Sequence, residues 1–338
     1  MLNAIIGFSI RNKLIVGLFV LGLIVTGIIQ LRQLPVDALP DITSNQVQVI
    51  TSCPALAAPE VERLVTFTVE QACSNIPGLT DMRSISRFGL SVVTLVFADN
   101  LDIYLARQQV AERLNAVREE IPPGTGSPGM APLTTGLGEV YQYIVRAQPG
   151  YENRYGLAEL RSIQDWIIRR QLLGTPGVAD VSSFGGYLKE YEVSFNPGRL
   201  QSLGVTVSEL YGALQRNNQN GGGAYIERHG QIQFIRTEGL VGSLPDIENM
   251  VVKTRPGMPP LKVGDVATVQ MGHAVRYGAL VDGSRGEVSG AVVLMLKGAN
   301  GQAVANAIKE RMAQIEKTLP QGVVVEPFYD RSKMVNRA

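Results

Sequence analysis

The chain has 338 residues, enough for two or three compact units, and its 31 basic and 30 acidic residues give a formal net charge of +1. This balance excludes the clustered basic excess of a nucleic-acid-binding protein, so we expect no nucleic acid partner. Two cysteines are too few for a disulfide framework, and 36 scattered glycines indicate no fibrous repeat. The composition is that of an ordinary globular α+β protein.

A long apolar segment lies near the N-terminus. Residues 14–31 contain only Thr26 and Gln30 as polar residues. A segment of about 18 apolar residues is long enough to cross a lipid bilayer as a helix. A cleavable signal peptide would have a shorter apolar region and a small-residue cleavage site, whereas Pro35 and Pro40 follow here. The sequence therefore predicts an uncleaved transmembrane helix.

The charges that flank this segment predict its orientation. Arg11 and Lys13 precede it, whereas Asp37 and Asp41 follow it. Because basic residues favour the cytoplasmic side, we expect a cytoplasmic N-terminus and the rest of the chain on the opposite side. Residues 1–10 fit either a short interfacial helix or an extension of the spanning helix.

The region after the segment contains an internal repeat. The sequence Pro-Gly-Leu-Thr-Asp that starts at Pro77 recurs as Pro-Gly-Val-Ala-Asp at Pro176, 99 residues later. The helical segments that precede these motifs align at the same offset, and we expect matching buried faces on two amphipathic helices. The aligned pairs are Val61 with Leu160, Leu64 with Ile163, Phe67 with Trp166, and Thr68 with Ile167.

A second set of matches has an offset of 198 residues. The apolar strand at residues 93–97 matches residues 291–295, and an apolar helical stripe follows each strand. The paired stripe positions are Ala106 with Val304, Val110 with Ile308, Leu114 with Met312, Val117 with Ile315, and Ile121 with Leu319. The jump in offset indicates that 99 extra residues interrupt the second copy inside its central hairpin.

Each copy reads strand, helix, strand, strand, helix, strand, with first strands at residues 46–51 and 140–146. This order is typical of a split βαβ, ferredoxin-like sandwich with its helices on one face of the sheet. We expect the insertion, roughly residues 188–277, to form a separate small α+β unit. Its predicted elements are a strand at residues 190–195, a helix at 207–216 and a hairpin around 231–236.

Several long motifs resemble the N-terminal half of the resistance-nodulation-division (RND) efflux pumps, in particular their heavy-metal subgroup. They include QLPVDALPDIT, VERLVTFTVEQ, ISRFGLSVVTLVF, DIYLARQQVAERL, NQNGGGAYIERHGQ and PFYDRSKMVNRA, and the similarity covers the whole chain. There are local departures, since Thr68 stands where the family usually has proline and TSCPAL replaces a proline-glycine turn.

The resemblance implies an α+β fold with one transmembrane helix and two ferredoxin-like porter subdomains, the second interrupted by a docking subdomain. The implied limits are 1–34 for the membrane segment, 35–136 for the first porter subdomain, 137–187 and 278–330 for the second, 188–277 for the docking subdomain, and 331–338 for a link to a second transmembrane helix.

The resemblance also implies a function, namely proton-driven export of heavy-metal cations from the bacterial inner membrane, with most of the chain in the periplasm. It implies a homotrimer whose central pore is lined by the helix at residues 101–121, together with a periplasmic adaptor and an outer-membrane channel. Motif similarity favours divalent cobalt, zinc and cadmium. The alternatives are a copper/silver pump, a multidrug RND pump, or a membrane-anchored periplasmic binding or assembly module that is complete as written.

We predict no catalytic, cofactor-binding or metal-binding residue in the chain, and no enzyme activity. The two histidines, His229 and His273, have no third metal ligand nearby in sequence, and the nine methionines are scattered. The glycines at residues 221–223 lack the flanking strand and helix of a phosphate loop. In the family that the chain resembles, the proton-relay and metal-contacting residues lie beyond the position of Ala338. We therefore expect this chain alone to export nothing.

The remaining polar candidates have ordinary structural explanations. We expect Arg83 and Arg87 at the surface rather than in a transport cleft, and Cys53 and Cys73 as free thiols. Charged residues surround the apolar stripe of the helix at 101–121, and a solvated helix face explains them without a pore. These residues are Asp102, Arg107, Glu112, Arg113, Arg118, Glu119 and Glu120.

Overall fold

The computed structural model describes residues 7, 10–33, 42–54, 56–221, 225–228, 231–234, 239–283 and 285–335. Its first long element is helix α1, Lys13–Gln33. Within these ranges it is the one helix long and apolar enough to cross a membrane, as predicted, and its span Lys13–Gln30 is not buried by the rest of the protein. Most of residues 1–10, together with Pro35, Asp37, Pro40 and Asp41, lie outside the described residues.

The first unit is built on a four-stranded antiparallel sheet. Its elements are β1 (Gln46–Ser52), α2 (Ala58–Val61, a π-helical turn at Glu62–Thr66, and Phe67–Cys73), β2 (Leu79–Arg87), β3 (Leu90–Phe97), α3 (Ile103–Glu120) and β4 (Gly129–Met130). The strand order is β2-β3-β1-β4. Both helices pack on one face, because alternate residues of β3, such as Val93 and Leu95, share a core with them.

The π-helical turn in α2 follows from the spacing of its buried residues. Val61, Val65, Val69 and Cys73 are all buried and lie four residues apart. A regular α-helix has 3.6 residues per turn, so a stripe at this spacing would drift around its axis. A π turn closes an i→i+5 hydrogen bond and takes up one extra residue, which keeps the stripe on the sheet.

The second unit starts with the same three elements. They are β5 (Glu139–Ala147), α4 (Leu157–Ile163, a π-helical turn at Gln164–Ile168, and Arg169–Leu172) and β6 (Val178–Gly185). The buried positions of α4 repeat those of α2 at the predicted offset of 99, and they are Leu160, Gln164, Ile168 and Leu172. The π turn therefore occurs in both copies.

The insertion begins directly after β6 and forms its own core around Leu200, Leu210 and Ile247. Its elements are β7 (Lys189–Phe195), α5 (Pro197–Ser202), α6 (Val207–Arg216), β8 (Tyr225–Arg228), β9 (Gln231–Phe234), α7 (Leu244–Glu248), β10 (Val251–Lys253), β11 (Leu261–Lys262), α8 (Val263–Val266) and β12 (Ala267–His273). The predicted strand and helix are confirmed. The hairpin is the pair β8–β9, and position 236 lies outside the described residues.

The chain leaves the insertion along β12, which pairs with β7, and then completes the second unit. The closing elements are β13 (Leu280–Asp282), β14 (Gly286–Met295), α9 (Gly301–Ile315), β15 (Val323–Asp330) and α10 (Arg331–Val335). The main strand order is β6-β14-β5-β15, and β13 pairs with the start of β14. This order matches the first unit strand for strand, so the predicted fold class is confirmed. The residue limits of the units remain predictions.

The second predicted repeat is also present in the packing. The paired stripe residues of α3 and α9 are buried in the two cores, except Leu319, which packs partly buried against the second core. The two helices begin with equivalent caps, since Asp102 accepts a hydrogen bond from the Tyr104 amide and Asn300 accepts one from the Ala303 amide.

One aligned pair was predicted on the wrong face. Phe67 and Trp166 are 59% and 63% exposed, whereas the prediction placed them on matching buried faces. The prediction assumed regular α-helices. The buried stripes instead run through Val65 and Gln164, two residues earlier in each helix, because the π turn changes the helical phase.

Candidate functional site

The described residues include no group of three or more His, Cys, Asp or Glu side chains placed to hold a metal ion. His273 is exposed, and its ring centroid lies 4.7 Å from that of Tyr187. His229 and most of the glycine run at 221–223 lie outside the described residues. The candidate contact surfaces are the outer face of α3, the helix-free face of the second sheet, and the groove where the insertion joins that sheet.

The outer face of α3 is partly apolar, with Tyr104 63% and Leu105 45% exposed. Two of the charges predicted on a solvated face, the half-buried Arg107 and the exposed Arg118, also bind the backbone. Arg107 Nη1 donates to the carbonyl oxygen of Ala131 at 2.9 Å, and Arg118 Nη2 donates to that of Pro128 at 3.3 Å. These bonds hold the segment containing β4 against the helix.

The remaining charges of α3 fit the prediction of a solvated face. Glu112, Arg113, Glu119 and Glu120 are exposed, as is the N-cap Asp102. An exposed face that mixes aromatic, aliphatic and both kinds of charged side chains is suited to contact another protein surface.

The second sheet keeps one face free of its two helices, which share a core with Tyr143 and Ala291 on the opposite face. The helix-free face contains a row of four paired residues, one from each main strand. Across β6, β14, β5 and β15 they are Phe184, Gly290, Ile144 and Glu326. We call this surface the open face. The row runs from an aromatic ring at one edge to a carboxylate at the other.

A groove of about 500 Å³ lies where the insertion joins this sheet. Exposed apolar side chains line much of it, including Phe184 from the open face and Val275 and Tyr277 from the returning chain. Arg161 and Arg276 line it as well, and each is paired, the first with Asp165 at 2.7 Å and the second with Glu287.

Charge on the open face is concentrated at Glu326. Arg146 and Arg285 both bind its carboxylate, Arg285 at 2.5 Å, and Arg285 also lies 3.2 Å from Asp282. The hydrogen bond from Arg146, followed by that from Arg285, lowers the pKa of Glu326 to about 2. The carboxylate is therefore ionised at every physiological pH.

A chain of hydrogen bonds connects the second core to the groove. The Tyr143 hydroxyl donates to Gln164 Oε1 at 2.9 Å, and Gln164 Nε2 donates to Ser183 Oγ at 3.3 Å. Ser183 donates to Asp165 at 2.5 Å, and Arg161 connects Asp165 to the carbonyl oxygen of Gly185. The π turn of α4 supplies both Gln164 and Asp165, so it carries the polar link between core and surface.

The predictions for two surface arginines and two free cysteines are confirmed. Arg83 and Arg87 are exposed on β2, and Arg83 pairs with Asp81 at 3.1 Å. Cys53 and Cys73 are buried free thiols of the first core. Burial raises the pKa of Cys73 to about 11, so this thiol is unreactive in the folded protein.

The sequence reasoning missed the hydrogen-bond chain and strand β13. The signal for the first was a polar glutamine at a position of the buried stripe. The signal for the second was the pair Gly185–Gly186 at the end of a strand, since a Cβ atom at Gly185 would lie 2.8 Å from the Cβ of Leu280 on β13.

Comparison with known proteins gives consistent matches. A model of the AcrB/AcrD/AcrF family matches residues 5–338. Cation efflux system protein CzcA of Alcaligenes sp. (strain CT14) is 41% identical over 342 residues, which cover 100% of this chain and 32% of that protein. Cation efflux system protein CusA of Escherichia coli (strain K12) is 37% identical over 338 residues, covering 100% of this chain and 32% of that protein.

A solved structure gives the same result. Crystal form II of a heavy metal efflux pump superposes with a TM-score of 0.84 at 32% identity, covering 98% of this chain and 32% of that chain. The chain thus spans about a third of the length of the relatives it matches. The matches include the membrane helix, both units and the insertion. The chain therefore belongs to the AcrB/AcrD/AcrF family of resistance-nodulation-division transporters, and to its heavy-metal efflux subgroup.

Proposed function

We propose that this chain supplies the membrane anchor and part of the periplasmic porter region of a proton-driven heavy-metal cation efflux pump. The observation that carries the proposal is identity of 41% with a cation efflux protein across the full chain, insertion included. A relative of Cupriavidus metallidurans with the same identity is named a cobalt-zinc-cadmium resistance protein, which favours divalent cations as cargo. The role is transport, not catalysis.

In this proposal, helix α1 crosses the bacterial inner membrane with its N-terminus in the cytoplasm. The two sheet units act as the first and second porter subdomains, 35–136 and 137–187 with 278–330, and 188–277 acts as the docking subdomain. Residues 331–338 lead towards a further membrane segment. Arg11 and Lys13 on the N-terminal side of the span support this orientation.

The pump is a homotrimer that binds a periplasmic adaptor and an outer-membrane channel. Two exposed surfaces support contacts between copies. The partly apolar face of α3 is suited to line a central pore. Among the described strands, β8 and β9 pair only with each other and expose Tyr225, Ile226 and Ile232, so this hairpin is suited to contact a neighbouring copy.

A chimeric pump tests the proposed function. Residues 1–338 replace the matching third of a cobalt-zinc-cadmium pump, and metal tolerance is measured in a strain without its own exporters. We expect restored tolerance to cobalt, zinc and cadmium, but not to copper or silver. A matched chimera without residues 189–276 should be inserted in the membrane and yet inactive. A chimera that assembles as a membrane-bound trimer but confers tolerance to none of these metals would contradict the proposal.

A separate labelling experiment tests the topology. Ser74 is exposed, and both natural cysteines are buried, so Ser74→Cys adds a single reactive thiol. In intact spheroplasts, a membrane-impermeant maleimide should label this variant and leave the parent chain unlabelled. Labelling of Ser74→Cys only after membrane disruption would place the bulk of the chain in the cytoplasm.

A further inference from the structure

Strand β13 extends the second sheet by pairing with the start of β14, and its Leu280 side chain covers part of the open face. Ile144 lies on this face, away from both helices, and is still only 6% exposed. Its strand partner Gly290 has no side chain of its own to cover the row. A Cβ atom at position 290 would press on the carbonyl oxygen of Tyr143, and it would lie 2.8 Å from Leu280 Cδ2 and 3.3 Å from the Cα of Ile144. Leu280 therefore fills the place of the missing side chain and shields the middle of the row.

On the side away from the insertion, an ion pair holds this cover in place. Beyond β13, Arg285 reaches Glu326 on β15 at 2.5 Å, at the opposite edge of the row. The side chains of Arg285 and Glu326 are 50% and 35% exposed. Ion pairs with this exposure are weak in water, because solvent competes for both charges. The contact that ties the β13–β14 hairpin to β15 is therefore weak, whereas β13 itself stays paired with β14.

The near side of the cover connects directly to the insertion. Residues 274–279, which join β12 to β13, form no helix or strand. Within this linker, the Arg276 guanidinium lies 4.0 Å from the centre of the Tyr187 ring and pairs with Glu287 of β14. A displacement of β12 therefore reaches β13 through a linker of six residues.

The other connection to the insertion has the geometry of a hinge. Gly185 and Gly186 both adopt left-handed φ angles, a conformation that absorbs a change of direction in the chain. Just beyond them, Lys189 pairs with Glu159 of α4 at 2.9 Å, and both side chains are more than a third exposed. The groove of about 500 Å³ between the insertion and the second unit gives this joint room to close.

We propose that the insertion and β13 form one coupled device, in which a swing of the insertion about Gly185 and Gly186 lifts Leu280 from Ile144. In the resting position, the Lys189–Glu159 and Arg285–Glu326 pairs keep the open face covered. A force on the insertion breaks the Lys189–Glu159 pair and pulls residues 274–279. The pull moves β13 and exposes Ile144 in the row on the open face. The coupling is a property of this chain alone, and only its use in transport rests on the proposed function.

Labelling of a thiol under the cover tests the coupling in the full chain in detergent. Ile144→Cys places a reporter in the shielded row, since both natural cysteines are buried in the first core. Two substitutions are added separately to this variant. Arg285→Gln breaks the contact that closes the cover, and Lys189→Gln breaks the contact at the root of the insertion. Arg83→Gln is the matched control, because it breaks an exposed ion pair with Asp81 in the first unit.

We expect both Arg285→Gln and Lys189→Gln to raise the maleimide labelling rate of Ile144→Cys by about two- to fivefold, the factor that loss of one exposed ion pair gives. The control should leave the rate unchanged. A rise with Arg285→Gln but not with Lys189→Gln would show a cover that moves independently of the insertion and would overturn the coupling. No rise in either variant would overturn the cover itself.

A second measurement keeps the test valid where Ile144→Cys perturbs folding. Hydrogen exchange of the β13 amides is followed by mass spectrometry in chains that retain Ile144. Exchange should be faster in Arg285→Gln and in Lys189→Gln than in the parent chain or the Arg83→Gln control. Unchanged exchange in Lys189→Gln contradicts the proposal, whatever the result of the labelling experiment.

Discussion

The two copies of the repeated unit differ in polarity at one place in their cores, beside the π turn. In the first copy, Val49 faces Val93 across the sheet, and Val65 lies in the π turn above it. In the second copy, Tyr143 faces Ala291, and Gln164 replaces the valine of the π turn. The same backbone therefore holds either two aliphatic side chains or two polar ones.

The difference shows what a buried polar pair needs. Tyr143 and Gln164 are both fully buried, yet the bond between them leaves neither side chain without a partner. The burial that surrounds Tyr143 raises the pKa of its hydroxyl well above the ordinary value, which keeps it neutral and able to donate. The polar pair extends to the surface through Ser183, at the groove where the insertion joins.

The copies also close their central hairpins differently. The first copy turns from β2 to β3 through Phe88 and Gly89 alone, whereas the second copy accommodates the insertion. The ends of the insertion remain adjacent, because the Ala274 amide donates to the carbonyl oxygen of Leu188 at 2.9 Å. A short turn and a complete folded unit are thus alternatives at one position of the fold.

The largest expected effect comes from placing the polar residue of the second copy in the first. Val65→Gln buries an amide among aliphatic side chains, and we expect a loss of about 2–5 kcal/mol from overpacking and an unpaired polar group. Exposure of Cys53 and Cys73 to a thiol reagent in urea reports unfolding of this core. Arg63→Gln, on the exposed side of the same turn, is the control. A loss below about 1 kcal/mol would mean that the first core tolerates the amide unaided.

The reverse exchange is expected to cost less. Gln164→Leu leaves the Tyr143 hydroxyl unpaired and should destabilise the second unit by about 1–3 kcal/mol. Adding Tyr143→Phe removes the unpaired group and should recover most of the loss. Fluorescence of the single tryptophan, Trp166, follows this unit in urea. Strictly additive losses would show that the two side chains do not interact.

The glycines in the turns before β2 and β6 should differ in how much an alanine substitution destabilises each unit. Gly78 and Gly177 have φ angles of 81° and 83°, so alanine is strained at both by about 1–2 kcal/mol. A Cβ atom at Gly177 would press closely on Val304, whereas at Gly78 it would lie 3.0 Å from the mobile end of Leu101. Gly177→Ala should therefore cost more than Gly78→Ala in the same two urea assays. The opposite order would contradict the contacts that distinguish the two turns.

Smaller and nearly equal effects are expected at the helix caps. Asp102→Ala and Asn300→Ala each remove a side chain that accepts a backbone hydrogen bond, and each should cost about 1 kcal/mol. Serine at either position should recover most of that loss. A cost at only one of the two caps would show that the copies do not depend on equivalent helix starts.

The smallest effects test the corrected helix faces. Phe67→Ala and Trp166→Ala remove exposed rings and should change the free energy of unfolding by no more than about 0.5 kcal/mol. For Trp166→Ala, loss of far-UV circular dichroism replaces fluorescence. A cost of about 3 kcal/mol or more would restore the original prediction that these rings are buried.

The sequence predicted the features that depend on regular periodicity. The stripes of α3 and α9 repeat as in an ordinary α-helix, and α6 was predicted with its observed limits, Val207–Arg216. The apolar residues of α1 were also sufficient to predict the membrane helix. Each of these features depends on local pattern alone, so no tertiary information was needed.

The features that the sequence did not predict depend on tertiary contacts. Strand β4 has two residues, too few for any periodic signal. The exposure of Phe67 depends on a π turn, and that turn is set by packing against the sheet. Leu280 lies over Gly290 only after four strands have assembled. Sequence reasoning identified the glycines and charges concerned, but not the residues that they contact.

The central claim is that one unit occurs twice and that the second copy carries an insertion that is separable from its core. The direct test replaces residues 189–276 with a two-residue turn like Phe88–Gly89 and follows urea unfolding by Trp166 fluorescence. We predict a cooperative transition close to that of the parent chain, together with loss of metal tolerance in the chimeric pump. Loss of cooperative unfolding would show that the insertion belongs to the core of the second unit, and would contradict the account.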